Sequence, residues 1–84
     1  MMHFTVPSFW ECYYKLPVDV KEQANKNYTL LKENSAHPSL HFKKIGKYYS
    51  VRINIRYRAL GIEAKKSIVW FWIGTHAEYD ELLK

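Results

Sequence analysis

Disulfide frameworks and paired-cysteine metal sites are excluded at once, because the 84 residues contain a single cysteine, Cys12. Glycine and proline are scarce, three of each, and the chain has no repeat, low-complexity tract or linker. No apolar run approaches the roughly 18–20 residues that a membrane-spanning helix requires, so no membrane partner is expected. The opening MMHFTVPSFW lacks a basic stretch followed by an apolar one, so no secretory signal is expected. With one unpaired cysteine, the expected location is the reducing cytoplasm. Acidic residues are also few, eight against thirteen Lys and Arg, which leaves a net charge of +5.

What the chain has in quantity is aromatic mass: seven Tyr, four Phe and three Trp. Each buried aromatic removes about 150–250 Å² from water, which matters in a chain this close to the lower size limit for an independent core. Residues 1–84 are read as one domain. Its charge is unevenly spread. Residues 1–40 balance four Lys against four acids, and residues 67–84 carry three acids against Lys84. Between them, residues 41–66 hold eight cations, Lys43, Lys44, Lys47, Arg52, Arg56, Arg58, Lys65 and Lys66, against Glu63 alone. A block of one sign attracts polyanions and speeds encounter with them; its bland reading is a solvated sheet face.

The first half reads as two helices. Ser8 and Glu11 have the spacing of a capping box, and Phe9, Trp10, Tyr13 and Leu16 form an apolar stripe. Pro17 breaks that helix and suits the first turn of the next. There Val20, Ala24, Tyr28 and Leu31 recur at helical spacing, with Asn34 as a stop. The second half reads as strands. Residues 40–45 form one, ended by Gly46. From Tyr48 the pattern alternates, with Tyr49, Val51, Ile53, Ile55 and Tyr57 on one parity and Ser50, Arg52, Asn54, Arg56 and Arg58 on the other. A turn near Asn54, a residue that tolerates left-handed backbone, divides this run into strands over 48–53 and 56–62. Residues 67–73 are apolar throughout, as in a strand buried on both faces. Gly74 is expected to end it, and Thr75 and Glu78 form a second capping box opening a short terminal helix. The expected class is α+β: an N-terminal helical hairpin on one face of a four-stranded antiparallel meander, followed by a short C-terminal helix.

The open face of that meander presents Lys43, Lys44, Arg52, Arg56, Arg58 and His76. RNA cleavage without a metal needs a base for the 2′-hydroxyl, cations for the phosphorane and an acid for the leaving 5′-oxygen. Arginine matches two phosphate oxygens with its planar fork, and histidine transfers protons near neutral pH. These residue types are therefore sufficient in kind.

The segments Tyr49-Ser50-Val51-Arg52-Ile53, Tyr57-Arg58-Ala59-Leu60 and Trp70-Phe71-Trp72-Ile73-Gly74-Thr75-His76-Ala77-Glu78-Tyr79-Asp80-Glu81-Leu82-Leu83 resemble the RelE/ParE toxin superfamily over nearly the whole chain. The resemblance implies a toxin of a type II toxin–antitoxin system, a cognate antitoxin as partner and no cofactor. RelE-like members cleave mRNA in the ribosomal A site without metal, whereas ParE-like members poison DNA gyrase. By position, it implies that Arg52 contacts the substrate, Arg58 supports the scissile phosphate, and His76 is the leaving-group acid with Tyr79 nearby. Lys43 and Arg56 complete the expected RNA contacts. Three departures stand out. Ser50 occupies the place of a lysine base, Leu82 or Leu83 replaces a terminal tyrosine unless Tyr79 substitutes for it, and the N-terminal strand of many relatives is expected to be short or missing because Pro7 and Ser8 arrive early.

The leading expectation is thus a ribosome-dependent endoribonuclease, a monomer alone or a hetero-oligomer with its antitoxin. The alternatives are a gyrase inhibitor and an inactive relative that binds RNA or ribosomes. Each site residue also has a structural reading. Arg58 is able to pair with Glu78 or Asp80, and His76 to bond a neighbour at a helix start. Lys43 and Lys44 point to opposite sides of a strand, and Lys43 is the one expected to face RNA. His37 and His41 flank Pro38 on a connector, too little for zinc. The Trp70-Phe71-Trp72 run reads as core, with Tyr48, Tyr49 and Tyr57 as candidates for base stacking.

Overall fold

The computed structural model describes residues 2–84. Its elements are β1 (Met2–Thr5), α1 (Pro7–Tyr13), α2 (Val18–Glu33), β2 (Lys43–Ile45), β3 (Tyr48–Arg52), β4 (Tyr57–Ala64), β5 (Ser67–Thr75) and α3 (His76–Leu82), with a 3₁₀ turn at Pro38–Leu40. The sheet runs β1-β5-β4-β3-β2. The β2 to β5 strands form the expected antiparallel meander. The expectation of four strands is corrected by β1, which pairs parallel to β5 from Met2↔Ser67 to Thr5↔Trp70. This strand is hard to read because its large apolar residue, Phe4, points outward and is 47% exposed, while His3 turns inward. The imidazole is stabilised there: Trp70 Nε1–H donates to His3 Nδ1 at 3.1 Å, and the two rings stack with centroids 6.1 Å apart. Burial, with a smaller contribution from the charge of Lys32, holds the His3 pKa below the usual histidine value.

The first capping box does not form. The N-cap of α1 is Val6, with Pro7 in the first turn, and Ser8 instead donates from Oγ to the Phe71 carbonyl at 2.8 Å. Ser8 lies inside the helix, so its hydroxyl is spent on tethering α1 to β5. The second box does form. Thr75 Oγ1 accepts from the Glu78 amide, and Glu78 Oε1 accepts from the Thr75 amide. These bonds from Thr75 pull the Glu78 carboxyl below its ordinary pKa. The turn near Asn54 is real but has a different cause. Asn54 is not left-handed; its Oδ1 accepts from the amides of Arg56 at 2.8 Å and Tyr57 at 3.1 Å, an Asx turn. β2 is also shorter than expected, since Leu40 closes the 3₁₀ turn and His41 is left-handed at φ 45°.

Two layers of side chains flank the sheet. On one face, Val51, Ala59, Ile68, Trp70 and Ile73 pack with Tyr13, Leu16, Val20, Ala24 and Leu31 from the helical hairpin. Burying each large apolar side chain contributes about 1.5–3 kcal/mol, so this layer supplies most of the stability. The C-terminal helix α3 lies on the face opposite the hairpin. Tyr79 of α3 covers Ser50 there, with the two hydroxyls 2.8 Å apart and both residues buried. Gly74 does not end β5 but lies within it, close under α3; a Cβ at that position would meet the Trp72 ring and Glu78 Oε1. The close approach of helix and strand therefore requires glycine at that point.

Candidate functional site

The face covered in part by α3 carries a concavity of about 100 Å³, lined by His41, Lys43, Ser50, Arg52, Arg58, His76 and Tyr79. Five of the six residues expected from sequence, Lys43, Arg52, Arg58, His76 and Tyr79, meet there. Strand register explains the convergence. Lys43 lies opposite Ser50, Arg52 lies opposite Arg58, and Arg58 lies opposite Gly74, two residues before His76. Partners directly across a sheet share a face, so β2, β3 and β4 each deliver one cation to the same side. The sixth residue, Arg56, is exposed and does not line the concavity. It sits in the Asx turn, where the parity of the flanking strands is broken. Its carbonyl accepts from the His76 amide at 2.7 Å, so its backbone helps to fix the start of α3.

The cations are not neutralised by neighbouring carboxylates. Among the described residues the ion pairs are His76–Asp80 and Lys84–Glu81, and neither Arg58 nor Arg52 is salt-bridged. Arg58 Nη1 donates to the carbonyls of Asn54 and Tyr57, the latter at 2.9 Å. These bonds anchor the guanidinium to the β3–β4 turn. Burial, then the charge of Arg52, lowers the Arg58 pKa, partly offset by Tyr79 and Asp80. Arginine nonetheless stays protonated near neutrality. Two like charges directly opposite on neighbouring strands are destabilising, and this pair is kept.

His76 contacts Asp80 Oδ2 through Nδ1 at 3.1 Å, the i,i+4 spacing on α3. An ionised carboxylate only accepts, so Nδ1 carries the hydrogen and Nε2 is the atom left for exchange. The His76 ring also lies against Tyr79, with centroids 5.6 Å apart. Tyr79 contributes to the concavity mainly as its floor, since its hydroxyl is engaged with buried Ser50.

Sequence reasoning did not assign His41 or Ser50 to the site. His41 was hidden by its place on an irregular connector; its Nε2 is 3.4 Å from Arg52 Nη1. Ser50 carried a signal, a small polar residue on the parity of the arginines. The arrangement offers guanidinium forks, an ammonium and two imidazoles around a space of phosphate size. No carboxylate lines it, so hard divalent cations, which favour oxygen ligands, find no charged donor there. The aromatic candidates lie elsewhere: Tyr49 stacks on Phe42 and donates to Glu63, Tyr48 packs on Phe71, and Trp70 is core.

The fold and the concavity define a small basic α+β domain whose cations gather on one face of the sheet. Residues 18–81 match the model of the ParE-like toxin domain, and the chain belongs to that family, within the RelE/ParE toxin superfamily. It is a toxin of the toxin–antitoxin class. Solved structures share its fold at low identity. A chain of the RelB–RelE antitoxin–toxin complex from Methanococcus jannaschii superposes with a TM-score of 0.74 at 13% identity, covering 96% of this chain and 99% of that one. YafQ from E. coli gives 0.73 at 13% identity, covering 92% and 94%. A chain of the YoeB–YefM toxin–antitoxin complex from Staphylococcus aureus gives 0.66 at 19% identity, covering 90% and 97%. No curated protein matches the chain in sequence. No helix among the described residues is long and apolar enough to cross a membrane.

Proposed function

We propose that this toxin is a metal-independent, ribosome-dependent endoribonuclease that cleaves mRNA in the cytoplasm. The observation that carries the reading is the set of cations without carboxylate partners, Lys43, Arg52 and Arg58, gathered with His76 in one concavity. Retaining Arg52 directly opposite Arg58 costs about 0.2–1 kcal/mol, a cost that an anionic ligand between them reverses. In this reading Arg52 and Arg58 hold the scissile phosphate and stabilise the phosphorane, and Lys43 contacts an adjoining phosphate. Nε2 of His76 protonates the leaving 5′-oxygen while Asp80 orients the ring. Tyr79 assists by fixing the imidazole from below, and Arg56 adds to the attraction from outside the concavity.

The partner that restrains such a toxin is an antitoxin, as the RelB–RelE and YoeB–YefM complexes among the structural relatives support. An acidic or amphipathic segment laid over the basic face would neutralise and occlude it. The description of the matching family as ParE-like favours a second reading, inhibition of DNA gyrase without cleavage. Purified chain assayed in parallel on ribosomes programmed with mRNA and on gyrase supercoiling separates the two. Cuts in ribosome-bound mRNA with supercoiling unaffected are expected; blocked supercoiling with intact mRNA would replace the nuclease reading by the gyrase one.

A further inference from the structure

The nuclease reading above supplies phosphate ligands and an acid but no base for the 2′-hydroxyl, since Ser50 is buried and bonded to Tyr79. We infer that His41 is that base, and this inference rests on the nuclease reading. Three observations converge on it. His41 lines the same concavity as Arg52, Arg58 and His76. It enters from the opposite side: across the strand order β5-β4-β3-β2 the site reads His76 after β5, Arg58 on β4, Arg52 on β3 and His41 before β2. The two imidazoles therefore bracket the two guanidiniums, as an in-line displacement at phosphorus requires. Finally, the backbone of His41 is left-handed, at φ 45° and ψ 42°, a conformation uncommon outside glycine and concentrated at functional positions.

The atom that acts is Nε2. A guanidinium only donates, so the 3.4 Å contact with Arg52 Nη1 makes Nε2 the acceptor and places the ring hydrogen on Nδ1. That distance lies beyond the usual hydrogen-bond range and marks a weak contact. When Arg52 turns to a phosphate, the lone pair is released to the ribose. Nε2 then takes the 2′-hydroxyl proton, the 2′-oxygen bonds to phosphorus, and the P–O5′ bond breaks. His76 Nε2 gives a proton to the departing 5′-oxygen. The products are a 2′,3′-cyclic phosphate and a 5′-hydroxyl, with no net proton change. The charged and titratable groups facing His41 are Lys43 from β2, Arg52 from β3, Arg58 from β4, and His76 and Tyr79 from α3.

The test is single-turnover cleavage of ribosome-bound mRNA by the purified chain, followed from about pH 5 to about pH 9. The parent should give a bell-shaped profile. His41→Asn keeps a residue that tolerates left-handed backbone, so it preserves the fold; it should slow cleavage by about 10²-fold or more and remove the acidic limb, with mRNA association unchanged. His41→Gly should regain cleavage when free imidazole is added. If both variants cut within about threefold of the parent and keep the bell, His41 is not the base and the nuclease reading survives. A loss seen only in association, with the bell intact and no imidazole rescue, would make His41 a support for Arg52 and overturn the inference. A parent that leaves mRNA uncut under every condition removes the nuclease reading, and the base with it.

Discussion

The two faces of this sheet are made from the same strands, alternating residue by residue, yet they are organised on opposite principles. The face under the helical hairpin is sealed by apolar side chains, and its residual cavity of about 50 Å³ is lined by groups such as Phe9, Leu31, Val51 and Trp70. The face under α3 leaves a space about twice as large, lined by cations, imidazoles and hydroxyls. Every buried side-chain polar atom among the described residues has a hydrogen-bond partner, whereas Lys43, Arg52 and Arg58 on the second face stay at least partly exposed. One face lowers the free energy of the fold; the other keeps like charges together at some cost in stability. Substitutions on the two faces should therefore separate stability from function.

The largest effect is expected on the sealed face. Trp70→Ala should cost about 3–5 kcal/mol, a large share of the stability of a domain this small, and chemical denaturation would measure it. A loss below about 1 kcal/mol would mean that the core is centred elsewhere. On the open face the pattern should invert. Arg52→Ala and His76→Ala should each lower mRNA cleavage on the ribosome by about 10²–10³-fold and relieve growth arrest on expression. Their unfolding free energies should stay within about 0.5 kcal/mol of the parent. Equal growth arrest by parent and variants would erase the proposed division of labour.

Smaller effects sharpen the comparison at its edges. Thr75→Ala removes the capping box of α3 and should cost about 1 kcal/mol by denaturation, with cleavage falling further than stability because the same helix carries His76. The inward imidazole of β1 makes the sealed face sensitive to acid. The folded-state pKa of His3 is depressed, so its contribution is fully present above the unfolded value of about 6.5. It declines as pH falls through that value toward the lower folded one, because the unfolded chain then takes up the proton first. His3→Gln should flatten the fall of the thermal midpoint over that window. An unchanged slope would remove His3 as its source.

Much of this arrangement was legible in the residues, and the failures have physical causes. The helical stripe of Val20, Ala24 and Leu31, the alternation through Tyr49, Val51 and Arg52, and the Thr75–Glu78 capping box all behave as their periodicity and chemistry dictate. The N-terminal strand, expected to be short or missing, is present as the short β1, and it was left out of the strand count because its inward side chain is a histidine held by Trp70, a tertiary bond that no local pattern announces. Ser8 has the right spacing for a cap, but the chain enters α1 through Pro7, which places Ser8 two residues past the actual cap, Val6. Register brought Lys43, Arg52 and Arg58 to one side as parity counting anticipated. The same counting failed for Arg56, because parity does not survive passage through a turn. His41 required the irregular backbone after the 3₁₀ turn to be known before its place in the site could be seen.

The central claim is that Lys43, Arg52, Arg58 and His76 together hold a phosphodiester. The most direct measurement is an NMR titration of isotopically labelled chain with a short RNA carrying 2′-methoxy groups, which cannot be cleaved through the 2′-oxygen. The account predicts saturable shifts of the Arg52 and Arg58 guanidinium and His76 imidazole signals, with Lys65 and Lys66 in the β4–β5 turn left unmoved. Shifts confined to that turn, or none in the concavity at saturating RNA, would contradict it.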